Sequence, residues 1–353
     1  MTPLFFIGFF LLGLSSLATS LNFTQVLEWP DELDYEWPSE ASRTQALEDV
    51  TFKPEKMYPR YLAVYGTRLF LNLLKENGIP VTLVSLLTTS TAPPKLSPFP
   101  SWDMHLNGTG NCNKIHQAEG LEMDSVGRLW VLDQGSSVSN CSSKLWIFNL
   151  NNNETELVHP ISFHGLMNDL VIDETPDGTF AYISRWGEEN VVVFSLERNQ
   201  SWKVDTPGIL VSSVALSPKV EPRKLYLGKE SSNEVYSVSV TALRNGTRTA
   251  ELEPIGNWAT EDSYRMLMDN HGIMYAAFMD NNFISSWNTS QPLQEQRSYQ
   301  VAGLKSASPF TFSLDQNGTL WMTVFDEERR PRFRLLKAAV GEKSAGGLFP
   351  LKL

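Results

Sequence analysis

One phrase recurs along this chain: an apolar run, a polar turn holding Asp and Gly, then an apolar run with an aromatic ring. It occupies residues 121–132 with Asp124, Gly127 and Trp130, and residues 170–183 with Asp173, Gly178 and Tyr182. It returns over 266–276 with Asp269, Gly272 and Tyr275, and over 312–322 with Asp315, Gly318 and Trp321. Weaker copies surround Gly66 and Arg223. Spacings lie mostly near 50 residues, with 61 between Gly66 and Gly127. That period is the size of one four-stranded propeller blade, about 40–50 residues.

Further β-branched, aromatic or alternating runs follow each phrase by about 10–15 residues, as the next strand of a meander does. They include residues 144–148, 191–194, 234–240 and 283–287. Helical periodicity is scarce: residues 39–47 and 70–76 fit a turn or two of helix. The Pro-rich stretch 92–100 reads as a linker between the first two blades. The expected fold is all-β, a six-bladed β-propeller of four-stranded antiparallel blades. A β-sandwich array gives no reason for one phrase to repeat at a constant period.

The first 20 residues change the compartment. An apolar core over residues 4–14 precedes the small residues Ala18, Thr19 and Ser20, the form of a secretory signal. That core is shorter than the roughly 20 residues needed to span a bilayer. The expected organisation is a signal peptide over 1–20 and one propeller domain over 21–353, with a lead-in over 21–60. Eight Asn-x-Ser/Thr sequons fit a secreted glycoprotein. Asn107, Asn153, Asn199, Asn245, Asn288 and Asn317 are the expected acceptors. Asn22 lies close to the mature terminus and Asn140 adjoins a cysteine. In an oxidising compartment the two cysteines, Cys112 and Cys141, read as one disulfide, the alternative being two buried thiols. Closing that loop contributes on the order of 3–4 kcal/mol in the chain-entropy picture. The net charge of −11, with no Lys/Arg-rich stripe, argues against nucleic acid or a membrane as partner and leaves a small molecule.

Several segments together resemble the Yellow/major royal jelly protein family of secreted six-bladed propellers. They are residues 33–39, 68–71, 78–83 and 96–102, then Cys112 followed by 127–135 and by 141–150. Residues 181–184, Ser201-Trp202 and 286–288 continue the match. The resemblance implies an extracellular binder of a small ligand, a biogenic amine or catechol, in an axial pocket. It also allows a dopachrome-type isomerase. Two departures stand out. Ser286 occupies a position where relatives commonly carry a further cysteine. Phe310 and Phe325 fall where salivary amine-binding members present Thr and Asn, and neither ring can replace those side-chain hydrogen bonds. An aromatic pocket remains, with Trp186, Phe310 and Phe325 near the axis and Asn168 and Asp169 as its polar groups.

Glu119-Gly120 before one blade and Asn168-Asp169 before the next also look like the metal site of gluconolactonase/paraoxonase-like hydrolases. Carried over by position, Glu119, Asn168 and Asp262 would ligate calcium, although Ser212-Ser213 stands where a further Asn is expected. The plainer alternative is that these groups cap strand ends. No cofactor is firmly implied; calcium is the one this set would take, and a calcium-dependent lactonase-like hydrolase is the activity that would follow. No catalytic residue is assigned. His116 and His164 lie just upstream of the two blade starts and are the weak general-base candidates. Binding is favoured over catalysis, and a storage or cuticle role stays open.

Overall fold

The computed structural model describes residues 23–105, 111–163, 165–220, 222–278, 281–300, 308–326 and 330–340, the side chains of 299, 300 and 308–310 excepted. The signal stretch 1–20, Asn22, Asn107 and His164 lie outside the described residues. Six four-stranded antiparallel sheets form a six-bladed β-propeller. Blades one to five follow in chain order over residues 59–98, 118–160, 166–205, 211–257 and 263–300. Blade six takes three strands from 308–339 and its outermost strand, Thr24–Trp29, from the start of the described chain. The lead-in therefore closes the ring: Thr24–Trp29 pairs antiparallel with Phe333–Ala339. Pairing the two ends of the chain in one blade ties the ring shut and leaves only the short outer strand of each blade as an edge.

The recurring phrase is the innermost hairpin of each blade. Its apolar positions alternate between the two neighbouring blades, as the period of two in a strand requires. Leu62 packs with Trp321 and Phe325 toward blade six, whereas Ala63 packs with Leu121 and Leu129 toward blade two. The polar positions have an equally definite task. The Asp315 carboxylate accepts the backbone N–H groups of Asn317 (2.8 Å) and Thr319 (2.9 Å) and the indole N–H of Trp321 (2.8 Å). Asp124 does the same for Val126, Arg128 and Trp130, and Asp269 for His271, Ile273 and Tyr275. One carboxylate thus closes the turn and satisfies the polar tip of the aromatic ring buried six residues on. The turn glycine follows from φ: +87° at Gly127, +80° at Gly272 and +74° at Gly318, where a side chain is strained. Blade four lacks the carboxylate; Ser217 Oγ accepts the N–H of Lys224 there instead.

Replacing Asp315 with Ala leaves three donors without this acceptor. We expect a loss of about 1–3 kcal/mol, read from the denaturant midpoint. An unchanged midpoint would remove the carboxylate from the account of the repeat.

Three local expectations meet the structure differently. Residues 39–47 correspond to the helix Glu40–Glu48, capped by Ser39 and Ser42 in a reciprocal pair. Residues 70–76 are not helical. Arg68–Leu73 is a strand, because Leu69, Phe70 and Leu71 must each meet a blade face and all are buried. The Pro-rich stretch is not a free linker: Ser97–Pro98 is the outer strand of blade one, paired with Val84 and Ser85. Leu96 and Phe99, buried on either side, hold it there. Cys112 and Cys141 form a disulfide. The sequon asparagines Asn153, Asn199, Asn245, Asn288 and Asn317 are exposed. Among the described residues no helix is long and apolar enough to cross a membrane.

Candidate functional site

Every inner strand carries a register irregularity near its start, and these irregularities face one another around the axis. They fall between Pro59 and Leu62, Ala118 and Leu121, Met167 and Leu170, Val211 and Ser213, Ser263 and Arg265, and Pro309 and Thr311. A bulge re-aims the residue it holds. Arg60, Glu119, Asn168, Ser212, Tyr264 and Phe310 occupy the equivalent bulge positions. The Phe310 side chain lies outside the described residues.

Glu119, 4% exposed, accepts from Arg60 Nη1 at 3.1 Å and from Gln117 Nε2 at 2.6 Å. Burial raises the pKa of its carboxyl, and the Arg60 charge opposes that rise. Asn168 accepts the Tyr61 hydroxyl at 2.9 Å and donates to the Ser212 carbonyl, joining blades one, three and four. Gly120 permits the approach of blade two to blade three: a Cβ there would lie 2.8 Å from the Asn168 carbonyl oxygen. Trp186 ends the strand Gly178–Trp186 with its ring 40% exposed. Arg60, Gln117, Glu119, Gln134, Asn168 and Trp186, with Leu166 and Met167, line one cavity of about 280 Å³.

Deeper in the channel sits a second charged group. Arg265 pairs with Asp169 and lies 4.9 Å from the centre of the Tyr61 ring. Asp169 and Arg265 are buried, and Asp169 Oδ2 and Arg265 Nε have no hydrogen-bond partner among the described residues. Glu122, on the inner strand Ala118–Met123, is partly buried and close enough to Arg265 to feel its charge. Burial pushes the Asp169 carboxyl up to about 6 and Glu122 up to about 7, both against the pull of Arg265. Burial also raises the phenols of Tyr61 and Tyr264.

The structure brings Glu119, Asn168 and Trp186 together at the channel mouth and places Asp169 beneath them. It does not bring Asp262 to them. Asp262 lies ahead of the inner strand Ser263–Met268 and accepts the Ser231 N–H at 3.2 Å, while Tyr264 takes the bulge position. Among the described residues no three His, Cys, Asp or Glu side chains gather as a metal-binding group. Glu119 is held by a guanidinium and an amide, a donor set that does not fit calcium. Phe325 is also away from the mouth. It is buried between Tyr58, 4.3 Å away by ring centres, and Phe333, at 4.9 Å. It ends its inner hairpin facing the blade one interface, where apolar burial holds it. His116 has its ring Nε2 3.2 Å from the Asn111 carbonyl and lines a separate chamber next to the mouth cavity.

Arg60, Tyr61, Glu122, Tyr264 and Arg265 were not singled out from sequence. A usable signal existed. Arg60 and Tyr264 precede Leu62 and Met266 by two residues, the offset by which Glu119 and Asn168 precede Leu121 and Leu170.

The fold is shared with solved propellers. Luciferin-regenerating enzyme aligns with a TM-score of 0.53 at 12% identity, over 84% of this chain and 96% of that one. Virginiamycin B lyase from Staphylococcus aureus aligns at 0.51 and 10% identity, over 81% and 96%. At the sequence level, Protein yellow of Drosophila madeirensis is 26% identical over 86% of this chain. The aligned part is 61% of that relative's length. Protein yellow of Drosophila melanogaster is 25% identical over 93% of this chain and 69% of its own. Dopaminechrome tautomerase of Drosophila melanogaster is 25% identical over 78% of this chain and 71% of its own. The family profile described as Major royal jelly protein matches residues 118–213 and 207–323, which take in blades two to five and the inner hairpin of blade six. With that match running over more than half of a six-bladed ring, the chain belongs to the major royal jelly protein family.

Proposed function

We propose that this protein binds a small flat aromatic ligand, of catechol or indole type, at the mouth of its axial channel. One observation carries this: the exposed Trp186 lines the same cavity as Glu119, Arg60 and Asn168. An aromatic ring stacks on the indole, and its hydroxyl or N–H groups meet buried polar atoms that are already oriented. The disulfide and the exposed sequons support secretion. Calorimetry with dopamine, noradrenaline and serotonin tests binding. Trp186→Ala is expected to weaken any ligand found at least tenfold, with melting unchanged because the ring packs no core. Absence of heat with all three would sink the proposal.

A second reading is favoured by one residue. Glu119, buried with a raised pKa and backed by Arg60, could shuttle a proton on a bound quinone-type ring. The relative named dopaminechrome tautomerase fits that chemistry. Aminochrome decay followed by absorbance, with wild type and Glu119→Gln, separates catalysis from binding. Equal decay with and without protein leaves binding alone.

A further inference from the structure

The mouth cavity does not end at Gln134. A second chamber of about 520 Å³ lies beyond it, and Gln117, Gln134 and Leu166 line both spaces. Gln134 is held in place where the two spaces meet: its Nε2 donates to the Gly165 carbonyl at 3.1 Å, and its Oε1 accepts the Met167 N–H at 2.7 Å. The far wall is residues 135–139, a loop held by paired backbone bonds between Ser136 and Cys141 and by the Cys112–Cys141 disulfide. Gly135 makes the turn at φ +73°, where a Cβ would lie 2.3 Å from the Cys141 carbonyl oxygen. The chamber is therefore built in advance rather than formed by a ligand.

Its chemistry is one-sided. Lys75 and His116 face it together with the two glutamines and the hydroxyl-bearing Ser136 and Ser139, and among the described residues no carboxylate lines it. Lys75 donates to the Ile79 carbonyl at 2.7 Å and pairs with no carboxylate among the described residues, in a chain whose net charge is −11. Burial lowers its pKa, as expected of an ammonium without a counter-ion. Leu166 and Trp186, 54% and 40% exposed, and Val138, 85% exposed, run as an apolar crest from one chamber to the other.

Building on the mouth pocket proposed above, we propose that the two chambers form one elongated site for an aromatic acid: the ring on Trp186, the carboxylate beside Lys75 and His116. An anion there supplies the missing counter-charge to Lys75, and the serine and glutamine groups solvate its oxygens. A bare catechol or arylamine would fill the mouth only.

The test compares an acid with its neutral isostere: indole-3-acetate against indole-3-acetamide, and 3,4-dihydroxyphenylacetate against its amide, by calorimetry on the intact protein. The acid is expected to bind at least tenfold more tightly. Lys75→Met should erase that preference and leave the amide unchanged, and Lys75→Arg should keep it. Trp186→Ala should weaken acid and amide alike. Equal affinity of acid and amide, or a preference that survives Lys75→Met, overturns the acid subsite while the mouth pocket stands. If neither acid nor amide binds while one of the three amines does, the acid subsite fails alone; if none of them binds, the mouth pocket fails with it.

Discussion

Replacing Asp173 with alanine is expected to destabilise the propeller by about 3–5 kcal/mol, the scale for removing one partner of a buried ion network. Asp173 is fully buried and faces two guanidiniums and a phenol. Arg223 and Arg244 both pair with it, Arg244 Nε at 2.9 Å, and the Tyr182 hydroxyl donates to it at 2.7 Å. Asp173 and Tyr182 belong to blade three. Arg223 directly precedes the second strand of blade four, and Arg244 ends the short helix Val240–Arg244 after its third. The carboxylate therefore joins two blades at a point where Arg223 is buried and Arg244 only partly exposed. Without it, positive charge stays buried with its main counter-charge gone. The measurement is the shift of the denaturant midpoint. Combining Asp173→Ala with Arg223→Met, which also removes a buried cation, should recover part of the loss. A single-variant loss under about 1 kcal/mol would show that the network contributes little beyond its own desolvation.

Lowering the pH from 8 to 5.5 should raise the melting temperature, and Glu122→Gln should flatten the change. Asp169 and Glu122 share Arg265 inside the channel, with Arg60, Tyr61, Glu119 and Tyr264 as the other ionisable neighbours. Two carboxylates face one guanidinium, so the pair holds an excess negative charge away from bulk water. Their folded pKa values, about 6 and about 7, lie above the ordinary values of 3.8 and 4.5. The folded state therefore binds the extra proton. Stability is highest where both carboxyls are protonated in folded and unfolded chains alike, and it falls as pH rises from about 4 through 6–7. One shared proton displaced by about 2 units corresponds to about 3 kcal/mol. Gln keeps the acceptor that Glu122 offers to the Met123 N–H at 3.0 Å but carries no charge. The variant should be the more stable protein at pH 8. A wild-type melting temperature flat across this range, with Glu122→Gln less stable at pH 8, would contradict the account.

The mouth of the channel was half legible before folding. Glu119 and Asn168 stand out because each precedes a strong copy of the repeat, and Trp186 because it is an aromatic just past an inner strand. Asp262 misled because it is acidic and close to blade five, although it lies two residues short of the bulge position that Tyr264 fills. Phe325 misled for a related reason. An aromatic at a strand end can face the channel or the next blade, and only the packing of Tyr58 and Phe333 decides which. Lys75 carried no signal, since it falls in no repeated position, and Gln134, four residues past Trp130 as Trp186 is past Tyr182 and Phe325 past Trp321, was passed over because it is not aromatic.

From sequence alone follow the number of blades, the hairpin at the heart of each, and the Asp and Gly that make its turn. These rest on local physics: a period of two, a positive φ, and a carboxylate within reach of backbone N–H groups a few residues away. Tertiary structure alone decided that residues 24–29 close the ring, that Arg265 from blade five meets Asp169 from blade three, and that the Arg60 guanidinium lies on Glu119. Those contacts join residues far apart in the chain, with 96 positions between Asp169 and Arg265. Their charges become neighbours only when six blades converge on one axis, and no spacing along the chain records that convergence.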